Sequence, residues 1–310
     1  MKQEDYPETL MELEQRFSDE EACRQYLFDL RWPEGFRCPR CQGARAWRMS
    51  RGLWLCGTCR HQVSVTAGTI FQDTRYPLSV WFRAIWQVTS QKNGVSALGV
   101  MRVLGLGSYK TAWAWLHKLR RAMVRPGRDR LSGAVEVDEV YLGGERPGPP
   151  GRGALGKALV LIAAEADGAK IGRIRLVRIA NASEPVLTAA VVRSVEPGSQ
   201  VLTDGWSGYV GLETQGYTHG MVRQTAIVGE NLLPRVHRVA ALLERWLLGT
   251  HQGAVAHRQL DYYLDEFTFR FNRRSSRSRG KLFYRLIQQA VQVPPHPFKT
   301  LVATQAVGGG

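Results

Sequence analysis

The sequence predicts a multidomain α+β chain, and three observations carry that prediction. Two Cys-x-x-Cys pairs stand near the N-terminal end, two helically spaced apolar runs separated by glycines follow, and from Ala134 onward alternating strands give way to helices interleaved with short strands. Strands first, then helices mixed with strands, indicate an α/β layer structure for the second half. At 310 residues and 44% apolar content the chain can build two or three cores, which excludes disorder as its main state.

The 42 Lys and Arg residues against 27 Asp and Glu leave a formal charge of +15. An excess of that size implies a polyanionic partner, because Lys and Arg gain affinity by releasing counterions condensed on phosphates. Nucleic acid leads, with a membrane surface a distant second. The longest purely apolar run, Ala158 to Ala164, falls far short of the ~20 residues of a spanning helix. The opening MKQEDYPETL is acidic and polar rather than a basic stub before an apolar stretch, so a soluble chain without a secretory signal is expected.

Met11 to Leu30 mixes apolar and charged residues at helical spacing, with Ser18 and Glu21 as a candidate capping box for a second short helix. The cysteine module runs from Phe36 to about Val65. Cys38 and Cys41 form one pair, Cys56 and Cys59 the other, with 14 residues between them. That spacing suits four thiolates around a structural zinc with no open position for chemistry, ahead of a redox pair. Cys23, alone in a helix, reads as a small buried hydrophobe. Arg37, Arg40, Arg45, Arg48 and Arg51 surround the module and either meet phosphates or form a solvated face.

A helix through Trp81 and Trp86 reaches about Gln91 and is broken by Lys92, Asn93 and Gly94. Ser96 to Leu104 and Ser108 to Met123, separated by Gly105 and Gly107, outline a helix-turn-helix, although any two short helices around a glycine share that outline. In a major groove, Ser108, Tyr109, Lys110 and Thr111 would face base edges, and Lys118, Arg120 and Arg121 would lie near the backbone. Trp113, Leu116 and Leu119 read as the packed face. Arg125 to Gly133 is a linker by composition.

Ala134 to Leu142 alternates like a strand, a Gly/Pro/Arg loop spans Gly143 to Gly156, and Ala158 to Ala164 and Ile171 to Ile179 read as two more strands around Asp167 and Gly168. Pro185 to Ser194 is helical, Gln200 to Thr203 is a short strand, Ser207 to Thr214 a short helix, and Leu233 to Leu248 and Gln259 to Asn272 are strong helices. Asp138 sits mid-strand among Val135, Val137 and Val140, where a carboxylate is costly unless paired or metal-bound. Asp204 ends the next apolar strand. Two such carboxylates can share divalent cations for phosphodiester chemistry; the alternatives are a salt-bridged Asp138 and a turn-forming Asp204.

These residues resemble the bacterial insertion-sequence transposases of the ISXO-like group. The matching stretches are RWPEGFRCPRCQG, SVTAGTIFQDTRYPLSVWF, SYKTAWAWLHKLRRAM, VEVDEVYLGG, TDGWSGY, RWLLGTHQG and YLDEFTFRFNRR, in family order from Arg31 to Arg274. The resemblance implies N-terminal helices and a zinc ribbon over 1–68, a helix-turn-helix region over 69–126, an RNase H-like DDE catalytic domain with a mixed sheet over 133–287, and a tail over 288–310. It also implies that Asp138 and Asp204 bind Mg or Mn as the first two catalytic residues. The third lies on the helix before the Gly-Thr-His stretch and falls on His237, seven residues before Glu244, which stands where the family has a lysine. Glu244 and Glu266 are reserve carboxylates. An imidazole can ligate a divalent ion, although Mg prefers oxygen.

Arg270, Arg273, Arg274 and Arg277, with Arg279 and Lys281, form the densest basic cluster and suit a DNA track; a solvated face is the alternative. The loop after Tyr141 is a candidate clamp for a DNA end. The expected activity is metal-dependent strand cleavage and strand transfer at the terminal inverted repeats of the element, on double-stranded DNA, by a homo-oligomer in the cytoplasm at the nucleoid. The rival is a catalytically impaired relative that binds and represses the element, favoured by Glu244 in place of lysine.

Overall fold

The computed structural model describes residues 4–125, 127–143, 157–222, 232–253 and 255–302. These fall into two compact units, one built from 4–125 together with 276–302, the other from 127–275.

The first unit opens with α1 (Leu10–Arg16) and α2 (Glu20–Arg31). Asp19, not Ser18, caps α2: its carboxylate accepts the Ala22 N–H at 2.8 Å. A charged acceptor gains from the helix dipole as well as the hydrogen bond, which a serine does not. Three short strands, β1 (Ala46–Arg48), β2 (Trp54–Cys56) and β3 (Gln62–Val63), pair antiparallel in chain order. Phe28 of α2 stacks on Trp54 at 4.3 Å between ring centroids and so backs this small sheet.

α3 (Leu78–Ser90), α4 (Ala97–Val103) and α5 (Tyr109–Ala122) follow. The Ser96 hydroxyl accepts the Gly99 N–H at 3.0 Å and the Ser108 hydroxyl accepts the Lys110 N–H at 3.2 Å, so a serine caps the start of each helix of the pair. Gly105 takes the left-handed conformation, φ +62°, that ends α4. Trp81 of α3 stacks on Trp115 of α5 at 3.7 Å.

The second unit contains β4 (Ala134–Leu142), β5 (Ala158–Asp167), β6 (Lys170–Ile179), α6 (Glu184–Ser194), β7 (Gln200–Thr203), a 3₁₀ segment (Ser207–Gln215), β8 (Thr218–Met221), α7 (Pro234–His251) and α8 (Leu260–Phe271). The strands form a mixed sheet in the order β6-β5-β4-β7-β8, antiparallel among β4 to β6 and parallel from β4 through β7 to β8. Alternation divides the sheet's residues between two cores. Val160, Ile162, Ile174 and Leu176 pack with Val236, Val239, Leu243 and Phe267 of α7 and α8. Val135, Val137, Leu161 and Val201 pack with Leu187 and Val191 of α6 and with Tyr209 and Leu212. β8 has no apolar alternation of its own (Thr-His-Gly-Met) and is held by its parallel ladder to β7, so no local pattern announces it.

The chain then returns to the first unit as α9 (Arg279–Ala290) and α10 (Phe298–Val302). This corrects the expected boundary of the second domain at 287 and the expected tail from 288. Phe283, Leu286 and Ile287 are fully buried, and Phe283 lies 5.8 Å from Phe82 and 6.0 Å from Trp86 of α3. An apolar helix face contributes most where it fills a core, and this one completes the first unit. Residues 144–156 of the Gly/Pro/Arg loop lie outside the described residues.

Candidate functional site

Two centres emerge, one in each unit. In the first, Cys38 and Cys41 lie on one turn and Cys56 and Cys59 on a second turn of the same design. Gln42 N–H donates to Cys38 O at 2.9 Å and Arg60 N–H to Cys56 O at 3.1 Å. Gln42 and Arg60, four residues after the first cysteine of each pair, both adopt positive φ, 62° and 59°. Each turn thereby curls its two sulfurs to the same side.

The four sulfurs all lie within 4.8 Å of one another; Cys38 Sγ to Cys59 Sγ is 3.7 Å and Cys41 Sγ to Cys56 Sγ 3.6 Å. A tetrahedron with Zn–S bonds of ~2.3 Å has edges of ~3.8 Å, so the donor set fits zinc in both chemistry and size. Cys23 lies elsewhere, fully buried with its thiol against Phe17 O at 3.9 Å, and burial pushes that thiol up to about 12. It is a core residue, as its surroundings in the sequence indicated.

In the second unit, β4 carries Asp138 and β7 leads into Asp204. The parallel ladder pairs Ala134 with Gln200, Val135 with Val201 and Glu136 with Leu202; continued two residues, this register sets Asp138 level with Asp204. Period-2 alternation sends Val135 and Val137 to the α6 face and Glu136, Asp138 and Val140 to the α7 face. Gly205, at φ +89°, turns the chain after β7, and Asp204 Oδ1 accepts the Trp206 N–H at 2.9 Å.

Asp138 Oδ1 accepts the Glu139 N–H at 2.8 Å, while Oδ2 lies 3.4 Å from His237 Nε2 on α7. Burial raises the Asp138 carboxyl above its ordinary range and the charge of Asp204 adds to this; the Glu139 N–H and His237 pull it back. The structure therefore brings Asp138 and His237 together. Among the described residues, however, the cluster of three or more His, Cys, Asp or Glu side chains fit to hold one ion is that of the four cysteines. Asp204 shares the sheet end and the electrostatics without closing such a cluster. Carboxylate oxygens of Asp138 and Asp204 suit Mg or Mn, with His237 as a softer third donor.

The positioning residue that sequence reasoning missed is Glu136. It is 3% exposed, and α7 has no side-chain cap of its own. Glu136 Oε2 accepts the N–H groups of Arg235 and Val236 at 2.7 and 3.1 Å, and Arg235 Nη1 donates to Oε1 at 2.7 Å. A buried glutamate two residues before Asp138 was the available signal; its partner lies 99 positions away. Behind the site, fully buried Tyr209 donates its hydroxyl to Glu139 Oε2 at 2.7 Å.

Several expected contacts are placed differently. Glu244 is exposed, two turns beyond His237 or ~10 Å along α7. Glu266, 2% exposed, pairs with Arg270 at 2.6 Å, and the Arg270 side chain is itself 12% exposed. Neither is available, one as a metal ligand or the other as a DNA contact, because a buried pair cannot give up one charge cheaply. Arg273 lies over the Phe269 ring and Arg274 over Phe271, at 4.1 and 4.0 Å, each also donating to backbone carbonyls. Arg277 is exposed and belongs to the first unit, so the basic run is divided. Arg120 is 2% exposed beside His117, too buried to lie along a DNA backbone; Arg121 is half-buried. Tyr109 and Lys110 are exposed at the start of α5, where Ser108 is committed to the cap.

Comparison with known proteins finds matches in both parts of the chain. Residues 130–272 match the family model described as ISXO2-like transposase domain, and residues 18–62 match the one described as transposase zinc-ribbon domain. A relative in Halobacterium salinarum, described as an uncharacterized protein in transposable element ISH50, is 27% identical over 277 residues, covering 82% of this chain and 91% of its own length. The resemblance drawn from the sequence motifs is thus borne out.

Proposed function

We propose, from the matched transposase and zinc-ribbon domains, that this chain is a DNA transposase that binds the terminal inverted repeats of its insertion sequence and catalyses strand cleavage and strand transfer. The observation that carries this reading is the 3.4 Å approach of His237 on α7 to Asp138 on β4, with the charge of Asp204, just past the end of neighbouring β7, acting on the same carboxylate.

In-line displacement at a phosphodiester needs no covalent protein intermediate, only a nucleophile and two stabilised oxygens. Divalent Mg or Mn ions, when bound by Asp138, Asp204 and His237, would activate the attacking hydroxyl and neutralise the leaving one. The protein's own contribution is rigidity. Asp138 is fixed through Oδ1 by its neighbouring N–H, Asp204 by the turn at Trp206, and His237 by the anchoring of α7 on Glu136. Zinc, held by the four cysteines, stabilises a ribbon whose sheet is too small to hold itself.

The partners in this reading are double-stranded DNA at the element ends and target and, for synapsis, further copies of the chain. No helix of the described residues is long and apolar enough to cross a membrane. A cytoplasmic, nucleoid-associated location follows from the substrate. α4 and α5 would act as a helix-turn-helix with Tyr109 and Lys110 toward the groove.

The second reading, a catalytically impaired relative that represses its element, is favoured by exposed Glu244 where the family carries lysine. Purified chain, Mg or Mn, and a duplex carrying the inverted repeats that flank the reading frame decide between them. Metal-dependent nicking that disappears in Asp138→Asn supports the transposase. Binding without cleavage supports the repressor.

A further inference from the structure

In the first unit, α2, the β1–β2 turn and the segment entering α3 enclose an open cleft of about 400 Å³. Three arginines from these three separate elements line it: Arg24, Arg51 and Arg75. Arg24 is half-buried and the other two are exposed. Among the described residues none of the three meets a carboxylate. The acid on the cleft wall, Glu20, is already engaged, accepting the Ser79 N–H at the start of α3 at 3.2 Å.

The cleft is built rather than incidental. Arg31 of α2 donates to the carbonyls of Ser64 and Val65 at 3.0 and 2.9 Å, locking the far wall to the helix. Gly52, at φ +73°, leaves room for Arg24: a Cβ there would stand 3.2 Å from the Arg24 guanidinium. Tyr76, also in the lining, accepts the Gly107 N–H at 3.2 Å through its hydroxyl and packs edge-on against Trp115 at 5.4 Å. The cleft therefore joins directly onto the turn between α4 and α5, where Tyr109 and Lys110 are exposed.

Unpaired guanidinium groups kept together in a concave wall repel one another, an arrangement that favours an anion between them. We propose that this cleft grips the sugar-phosphate backbone of the same DNA duplex that meets the start of α5, so that the ribbon side and the helix pair read one continuous DNA segment through the Tyr76–Gly107 junction. The inference rests on the DNA-binding part of the proposed function. It assigns Arg24, Arg51 and Arg75 to phosphates and not to base edges.

The test is fluorescence anisotropy of the full zinc-loaded chain on two labelled duplexes, one carrying the element end and one with that sequence scrambled, across a salt series. Arg24→Gln, Arg51→Gln and Arg75→Gln are made singly and together, and zinc content verifies that the ribbon remains intact. The triple variant is expected to bind both duplexes at least about tenfold more weakly, with the slope of log affinity against log salt lower by about 2–3; each single change lowers it by about 1, which keeps the test open should the triple variant lose zinc. An unchanged slope and affinity overturn the proposal, as does a loss confined to the element-end duplex. Titration with inorganic phosphate separates a free-anion site from a DNA track: saturable phosphate binding together with unaltered DNA affinity in the variants assigns the cleft to the small anion and overturns it. A wild-type chain that binds neither duplex removes the DNA reading itself, whereas wild-type binding with unaffected variants removes the cleft alone.

Discussion

Glu136 and Arg235, 99 residues apart, join β4 to the first turn of α7 through paired side-chain and backbone bonds: Arg235 gives Glu136 both its N–H and its guanidinium, each at 2.7 Å. Two residues further along each element stand Asp138 and His237, 3.4 Å apart. The anchor thus sets the distance between the two groups that the proposed chemistry would use.

Truncating this anchor should be expensive. Glu136→Ala leaves two helix N–H groups and a partly buried guanidinium without their acceptor, and a loss of about 2–4 kcal/mol is expected. Chemical denaturation of the variant, compared with Glu136→Gln, measures it; a loss below about 1 kcal/mol shows that water replaces the carboxylate at little cost.

Removing zinc should unfold the ribbon and leave the helices in place. The chain is expected to hold one zinc per molecule, and Cys38→Ser or a strong chelator should empty it, because structural zinc supplies the folding free energy of such modules. Phe28 stacked on Trp54 gives the optical report, as that contact is lost with β2. Metal analysis that finds no zinc in chain purified without chelator contradicts the assignment.

Asp138→Asn should abolish metal-dependent strand cleavage by about a thousandfold or more while DNA affinity stays within about twofold. Cleavage that survives this change would mean that the nicking arises elsewhere. His237→Ala tests the third position in the same assay, and near wild-type cleavage there would remove the imidazole from the site.

The first unit should lose stability in mild acid through His296. Burial, with Arg121 and Lys118 adding repulsion, pushes the imidazole down to about 4, against about 6.5 in the unfolded chain. A lowered base binds protons less readily when folded. Its stabilising contribution is full above about pH 6.5 and is lost progressively as pH falls toward 4. Thermal unfolding of the wild type between pH 7 and 4 should show that decline, and His296→Gln should flatten it; an equal slope in both assigns the acid sensitivity to other groups.

How much of this was legible in the chain depends on how local the signal is. The Cys-x-x-Cys pairs, the alternation of β4 to β6 and the helical runs that begin at Ser96 and Ser108 are written in stretches of a few residues, and the structure realises each of them. Asp138 stood out because an isolated carboxylate in an apolar strand demands an explanation. The cap stands at Asp19, one residue after the Ser18 of the capping-box pattern, because the helix begins one residue later and the Asp19 carboxylate takes the Ala22 N–H. The arginines of the C-terminal cluster look alike in sequence, yet Arg270 is buried against Glu266 while Arg277 is exposed in the other unit.

The amino-acid order alone determined the number and type of most elements, the metal-binding thiols and the acidic strand, since these rest on periods of two and 3.6 and on spacings within one turn. Only the tertiary structure decided that α9 completes the first core, that Glu136 docks α7, that Arg120 is buried, and that three arginines from three elements share one cleft. Those facts depend on which surfaces meet across tens to hundreds of residues, and the free energy of such meetings is carried by packing and buried charge pairing, for which no short stretch of sequence holds a record.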